Sequence, residues 1–85
     1  MIALVGFKIM SGPDGNTLDP NALPCPTEND VGAWFKAARV SGHTFESLPG
    51  DEARMSKPGS AHRIVWVETH EGKRVSVAKW LGANL

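Results

Sequence analysis

Eighty-five residues, 41% of them hydrophobic and 21% charged, suit one small globular domain and exclude an intrinsically disordered chain. Nine basic and nine acidic residues cancel, which excludes a surface built throughout for nucleic acid or an anionic membrane. The single cysteine, Cys25, excludes an internal disulfide, and the apolar run over residues 2–7 is too short for a membrane span or a secretory core, so a reducing, cytoplasmic setting is expected.

Residues 2–10 are nearly continuous apolar sequence and predict an inner strand, with Ala3, Val5, Phe7 and Ile9 on one face and Ile2, Leu4 and Gly6 on the other. Residues 11–26 hold Gly12, Pro13, Gly15, Asn16, Pro20, Pro24 and Pro26, a density of turn formers that predicts a long loop without regular structure. Thr27 and Asp30 form a variant capping box, with Asp in place of the usual Glu or Gln, at the start of a helix over 28–40. Val31, Trp34, Phe35 and Ala38 fall at i, i+3, i+4 and i+7 and give that helix one apolar stripe, which Ser41-Gly42 ends. Residues 43–48 read as a short strand anchored by Phe45, followed by a Pro49-Gly50 turn, one helical turn over 51–55 and a loop over 56–60.

The stretch over 63–79 specifies a β-hairpin down to its register. With His70, Glu71 and Gly72 as the loop, and Gly72 in the left-handed region, Thr69 pairs with Lys73, Glu68 with Arg74, Val67 with Val75 and Val65 with Val77. Four valines then share one face, and Ile64, Trp66, Glu68, Arg74, Ser76 and Ala78 share the other; a two-residue loop would oppose valine to serine or glutamate. The fold expected is α+β: a mostly antiparallel sheet of three to four strands, with a hairpin at about 63–69 and 73–79 and one helix on its valine face. Its core would draw on Val5, Phe7, Val31, Trp34, Phe35, Val65, Val67, Val75 and Val77.

The opposite sheet face carries the functional question. Trp66, beside Ile64 and followed by Trp80, predicts an apolar patch rimmed by Glu68 and Arg74, the composition of a protein-binding surface. The alternative is that the proline-rich loop or the tail after Trp80 covers it, laying Leu18, Leu23 or Leu81 on Trp66. Arg54, Lys57, His62 and Arg63, with Lys73 on the hairpin, are the candidates for an anion or nucleic-acid site, but they are sparse and lack a phosphate-cradling motif.

Other chemistries find little support. His43, His62, His70 and Cys25 lack the close pairing of zinc ligands, and the Asp14-to-Asp19 segment has Asp19 where a calcium loop needs glycine. Neither a metal nor another cofactor is expected. For catalysis, Cys25 is the one thiol nucleophile, and the histidines, Glu68 and Glu71 are the bases, yet no nucleophile elbow, H-E-x-x-H or glycine-rich dinucleotide turn is present. The sequence therefore predicts a non-enzymatic, cytoplasmic accessory or inhibitor-type domain that binds another protein or a second copy of itself, in the manner of the compact proteins that phages and other mobile elements carry. Nucleic-acid association is the second expectation.

Overall fold

The computed structural model describes residues 6–15 and 18–81. The expectations for Val5, for the start of the first strand and for the tail beyond Leu81 lie outside them. The chain runs β1 (Phe7–Pro13), β2 (Asn21–Cys25), α1 (Glu28–Val40), β3 (Thr44–Leu48), β4 (Glu52–Ser56), β5 (Arg63–Thr69), β6 (Arg74–Val75) and α2 (Ala78–Leu81). All strand pairs are antiparallel, in the order β2-β1-β5-β4-β3, with β6 beside the C-terminal half of β5. The molecule is thus α+β, with more strands and one more helix than expected.

The helix over 28–40 forms as predicted. The Thr27 hydroxyl accepts the Asp30 N–H at 3.2 Å, and the Asp30 carboxylate accepts the Thr27 N–H at 3.1 Å, which closes the capping box. At the other end the N–H groups of Gly42 and His43 donate to the carbonyls of Arg39 and Ala38, the paired bonds of a Schellman motif. Val31 and Phe35 are fully buried against Ile9, Cys25, Ala53, Val65, Val67 and Val77, while Trp34 packs at the margin of this core.

Two of the expected connecting segments are corrected. Residues 11–26 are not a featureless loop, because β1 continues to Pro13 and β2 returns along it in the register Ile9 to Leu23. The prolines are tolerated because Pro13 lies beyond the stretch paired with β2 and, opposite Arg63, turns its nitrogen away from β5, while Pro24 lies on an edge strand, where an N–H is not required. Residues 51–55 form strand instead of a helical turn: Gly50 and Asp51 take φ of 82° and 60°, closing a three-residue loop that pairs Leu48 with Glu52. The alternation of Ala53 and Met55 with Glu52, Arg54 and Ser56 has the strand period.

The hairpin keeps its predicted turn and loses most of its second strand. Gly72 has φ 87°, the Thr69 N–H donates to the Lys73 carbonyl at 2.7 Å, and Glu68 faces Arg74 and Val67 faces Val75. The second strand spans 74–75, not 73–79, because Ala53 of β4 takes the place beside Val65 that Val77 was expected to fill. The chain instead turns inward at Ser76, whose hydroxyl accepts the Ala78 N–H, and drops Val77 and Trp80 into the core. Trp80 stacks on Phe35 with ring centres 5.9 Å apart and planes 3° from parallel, and its carbonyl accepts from Arg39 Nη1. Trp80 therefore lies in the helix layer and is not a neighbour of Trp66 on the other face. Both helices pack on the side of Val65 and Val67, so no helix or strand among the described residues covers the reverse side of the sheet.

Candidate interaction surface

Strand alternation and register fix what stands on the reverse side. A central row runs Ala22, Met10 and Trp66, with Leu48 and Glu52 paired beyond them. One flanking row holds Pro24, Lys8, Glu68 and Arg74, and the other Gly12, Ile64, Arg54 and Glu46. Apolar side chains thus run from Ala22 to Trp66 and recur at Leu48, with Glu52 as the carboxylate of the central row, and Lys8, Glu68 and Arg74 flank them on one side, Arg54 and Glu46 on the other. The sequence pointed to Ile64, Trp66, Glu68 and Arg74; Lys8, Met10, Ala22, Leu48 and Glu52 became part of the surface only once β1, β2, β3 and β4 were placed.

Trp66 is not the exposed patch expected: it is 4% exposed, and Ile64 6%. Its indole Nε1 donates to Glu68 Oε2 at 2.7 Å, and the Arg74 guanidinium carbon sits 4.7 Å from the ring centre. Arg74 Nη1 in turn donates to the Gly50 carbonyl and to Glu52 Oε2, each at 3.0 Å. The cation is held by a carboxylate and a carbonyl while its flat face lies on the tryptophan, a geometry guanidinium permits and ammonium does not. The loop over 11–26 supplies an edge strand in place of a cover, and Leu18 and Leu23 remain exposed.

The basic candidates do not converge. Arg54 donates to Asp14 Oδ2 at 3.0 Å and Glu46 Oε1 at 2.8 Å, hydrogen bonds that push its pKa further up and neutralise its field. Arg63 stands on the helix face and donates weakly to Ser11 Oγ at 3.5 Å, while His62 Nδ1 lies 3.2 Å from Ser56 Oγ. Lys57 and Lys73 are exposed near opposite ends of β5, a seven-residue strand about 20 Å long.

Two clefts remain. One of about 330 Å³ is lined by Gly6, Phe7, Lys8, Pro24, Cys25, Pro26 and His70. It brings His70 to the same cleft as Cys25, but no hydrogen bond joins them, and burial, with Asp30 second, pushes the thiol pKa up. That is the opposite of nucleophile activation. His43 lies elsewhere, with Trp34, Ala37, Ala38, Ser41 and Met55 around a cleft of about 260 Å³. Among the described residues no three His, Cys, Asp or Glu side chains are grouped to hold a metal ion, and no helix is long and apolar enough to cross a membrane. Neither a protein-family model nor a curated protein nor a solved structure matches the chain.

Proposed function

We propose that the protein is a non-enzymatic binding domain, of accessory or inhibitor type and working in the cytoplasm, that engages another protein through the reverse side of its sheet. One observation carries this reading: both helices lie on one side of the sheet, and among the described residues no helix or strand lies on the other, where Ala22, Met10, Trp66 and Leu48 stand between the ion pairs Arg74–Glu52 and Arg54–Glu46. Apolar centres with arginine and satisfied polar rims are what protein interfaces are made of. Glu52, Glu68 and Arg74 supply orientation through charge, and Met10, Ala22 and Leu48 supply contact area beside the buried Trp66. Nucleic acid is the less favoured partner, since Arg54 and Arg74 already hold carboxylates.

The test is cross-linking capture from the protein's own cell extract with the wild type, with Ala22→Arg on the reverse side of the sheet, and with Lys36→Glu on the exposed side of α1. Capture that is lost with Ala22→Arg and kept with Lys36→Glu supports the reading. Equal capture by all three removes it.

A further inference from the structure

The two edges of the sheet are protected unequally. In β1 the Gly6 carbonyl accepts the His70 N–H and the Asp14 N–H donates to the His62 carbonyl, so even-numbered residues turn their backbone groups to β5 and odd-numbered ones to β2. Phe7, Ile9 and Ser11 therefore bond Cys25, Leu23 and Asn21, and the outward groups of β2 belong to Ala22 and Pro24. Pro24 has no N–H, so this edge is blunted. On the other side the Thr69 N–H donates to Lys73, so the odd-numbered residues of β5 face β4 and β6. Ala53 and Met55 answer β5, Glu52, Arg54 and Ser56 face β3, and Phe45 and Ser47 direct their N–H and C=O groups outward. Among the described residues none of these four groups has a hydrogen-bond partner, and Thr44, Glu46 and Ser47 are exposed. Strand β3 carries no proline, lysine or bulge to deter pairing.

We propose that β3 is the site at which a second copy of this chain adds, edge to edge, to make one continuous antiparallel sheet. An antiparallel strand paired with its own copy is closed by a two-fold axis, and the one charge of β3, Glu46, disfavours one register. Centring the axis on Glu46 opposes two like carboxylates, which is unfavourable. Centring it on Phe45 pairs Phe45 with Phe45 through two backbone bonds, sets Glu46 across from Thr44, and brings the Ser47 N–H to the His43 carbonyl. The axis is perpendicular to the sheet, so the two reverse faces become one broad surface. The inference stands independently of what that surface binds.

Sedimentation equilibrium of the full chain over a wide concentration range tests it. The wild type forms a dimer that dissociates on dilution. Ser47→Pro, which removes an outward N–H and no bond to β4, is monomeric with an unchanged circular dichroism spectrum. Ala22→Pro, the matching change on the blunted edge, still dimerises. Thr44→Glu weakens the dimer and Thr44→Lys tightens it, each by about twofold to thirtyfold for two symmetric cross-strand pairs. A wild type that stays monomeric to millimolar concentration overturns the proposal, as does a folded Ser47→Pro that still dimerises. Should Ser47→Pro fail to fold, the two Thr44 variants decide, and shifts in the same direction, or none, overturn it.

Discussion

Trp66 and Cys25 are both buried, yet their surroundings give them different roles. Over Trp66 the described polar cover consists of long side chains: Arg74 on the ring face and Glu68 at the indole N–H. A guanidinium over an indole contributes about 0.5–2 kcal/mol depending on desolvation, and its half-exposed ion pair with Glu52 at most about 1 kcal/mol. Arg74→Ala is therefore expected to destabilise the domain by about 1–2 kcal/mol in urea unfolding and to raise acrylamide quenching of tryptophan fluorescence. Unchanged quenching would mean that other groups shield the ring. Cys25 is the reverse case. Its thiol is held protonated by burial and by Asp30, so the folded chain binds that proton more tightly than the unfolded chain. The stability this contributes is complete below the ordinary thiol pKa of about 8.5 and is lost as pH rises through the higher folded value. Two outcomes follow: slower reaction with a disulfide reagent at pH 7 than a free thiol, and unfolding midpoints of wild type and Cys25→Ala that diverge differently at pH 10 than at pH 7. Fast labelling near neutrality would return Cys25 to the nucleophile candidates.

Among the elements, α2 is short and depends on what it buries. Four residues cannot hold a helix by their own hydrogen bonds, so Ala78–Leu81 exists because Trp80 stacks on Phe35 and the Ser76 hydroxyl caps it. Trp80→Ala should cost about 3–5 kcal/mol, as truncation of a large aromatic in a closed core does, and should release the segment after Val75 to proteolysis. A loss under 1 kcal/mol would place Trp80 outside the core. The cap of α1 is a smaller matter: Thr27→Ala removes the hydroxyl that accepts the Asp30 N–H and donates to the Asp30 carboxylate, keeps the backbone N–H bond to that carboxylate, and should cost about 1 kcal/mol.

At the scale of the molecule, β5 organises everything else. It is paired with β1 along its whole length and with β4 and β6 in succession on its other side, and it carries Val65 and Val67 into the core and Ile64 and Trp66 onto the reverse face. Stability in such a sheet decreases outward from the doubly paired strand. Hydrogen exchange of a dilute sample should find the amides of Val65 and Val67 slowest and those of Ala22, Phe45 and Ser47 fast. Raising the protein concentration should slow Phe45 and Ser47 selectively if β3 pairs with a second copy. Binding to duplex or single-stranded nucleic acid should be weak, because the arginines that would meet phosphate are already paired.

The features legible in the sequence alone were local. The Thr27/Asp30 cap, the stripe of Val31, Trp34 and Phe35, the three-residue loop ending at Gly72 and the facing of Val67 with Val75 all depend on residues a few positions apart, and each formed as read. The second strand of that hairpin, β2 and β4 did not, because a strand is stable only with a neighbour. Leu23 needed Ile9, Ala53 needed Val65, and Val77 was displaced once Ala53 had taken its place. The candidate site divided in the same way. Alternation along β5 put Ile64, Trp66 and Glu68 on one face, but that Arg74 would lie on Trp66, that Trp80 would join Phe35, and that Arg54 would be held by Asp14 and Glu46 depended on residues brought together across the sheet. Side chains separated by eight to forty-five residues meet only after the strands pair, so their contacts belong to the tertiary structure.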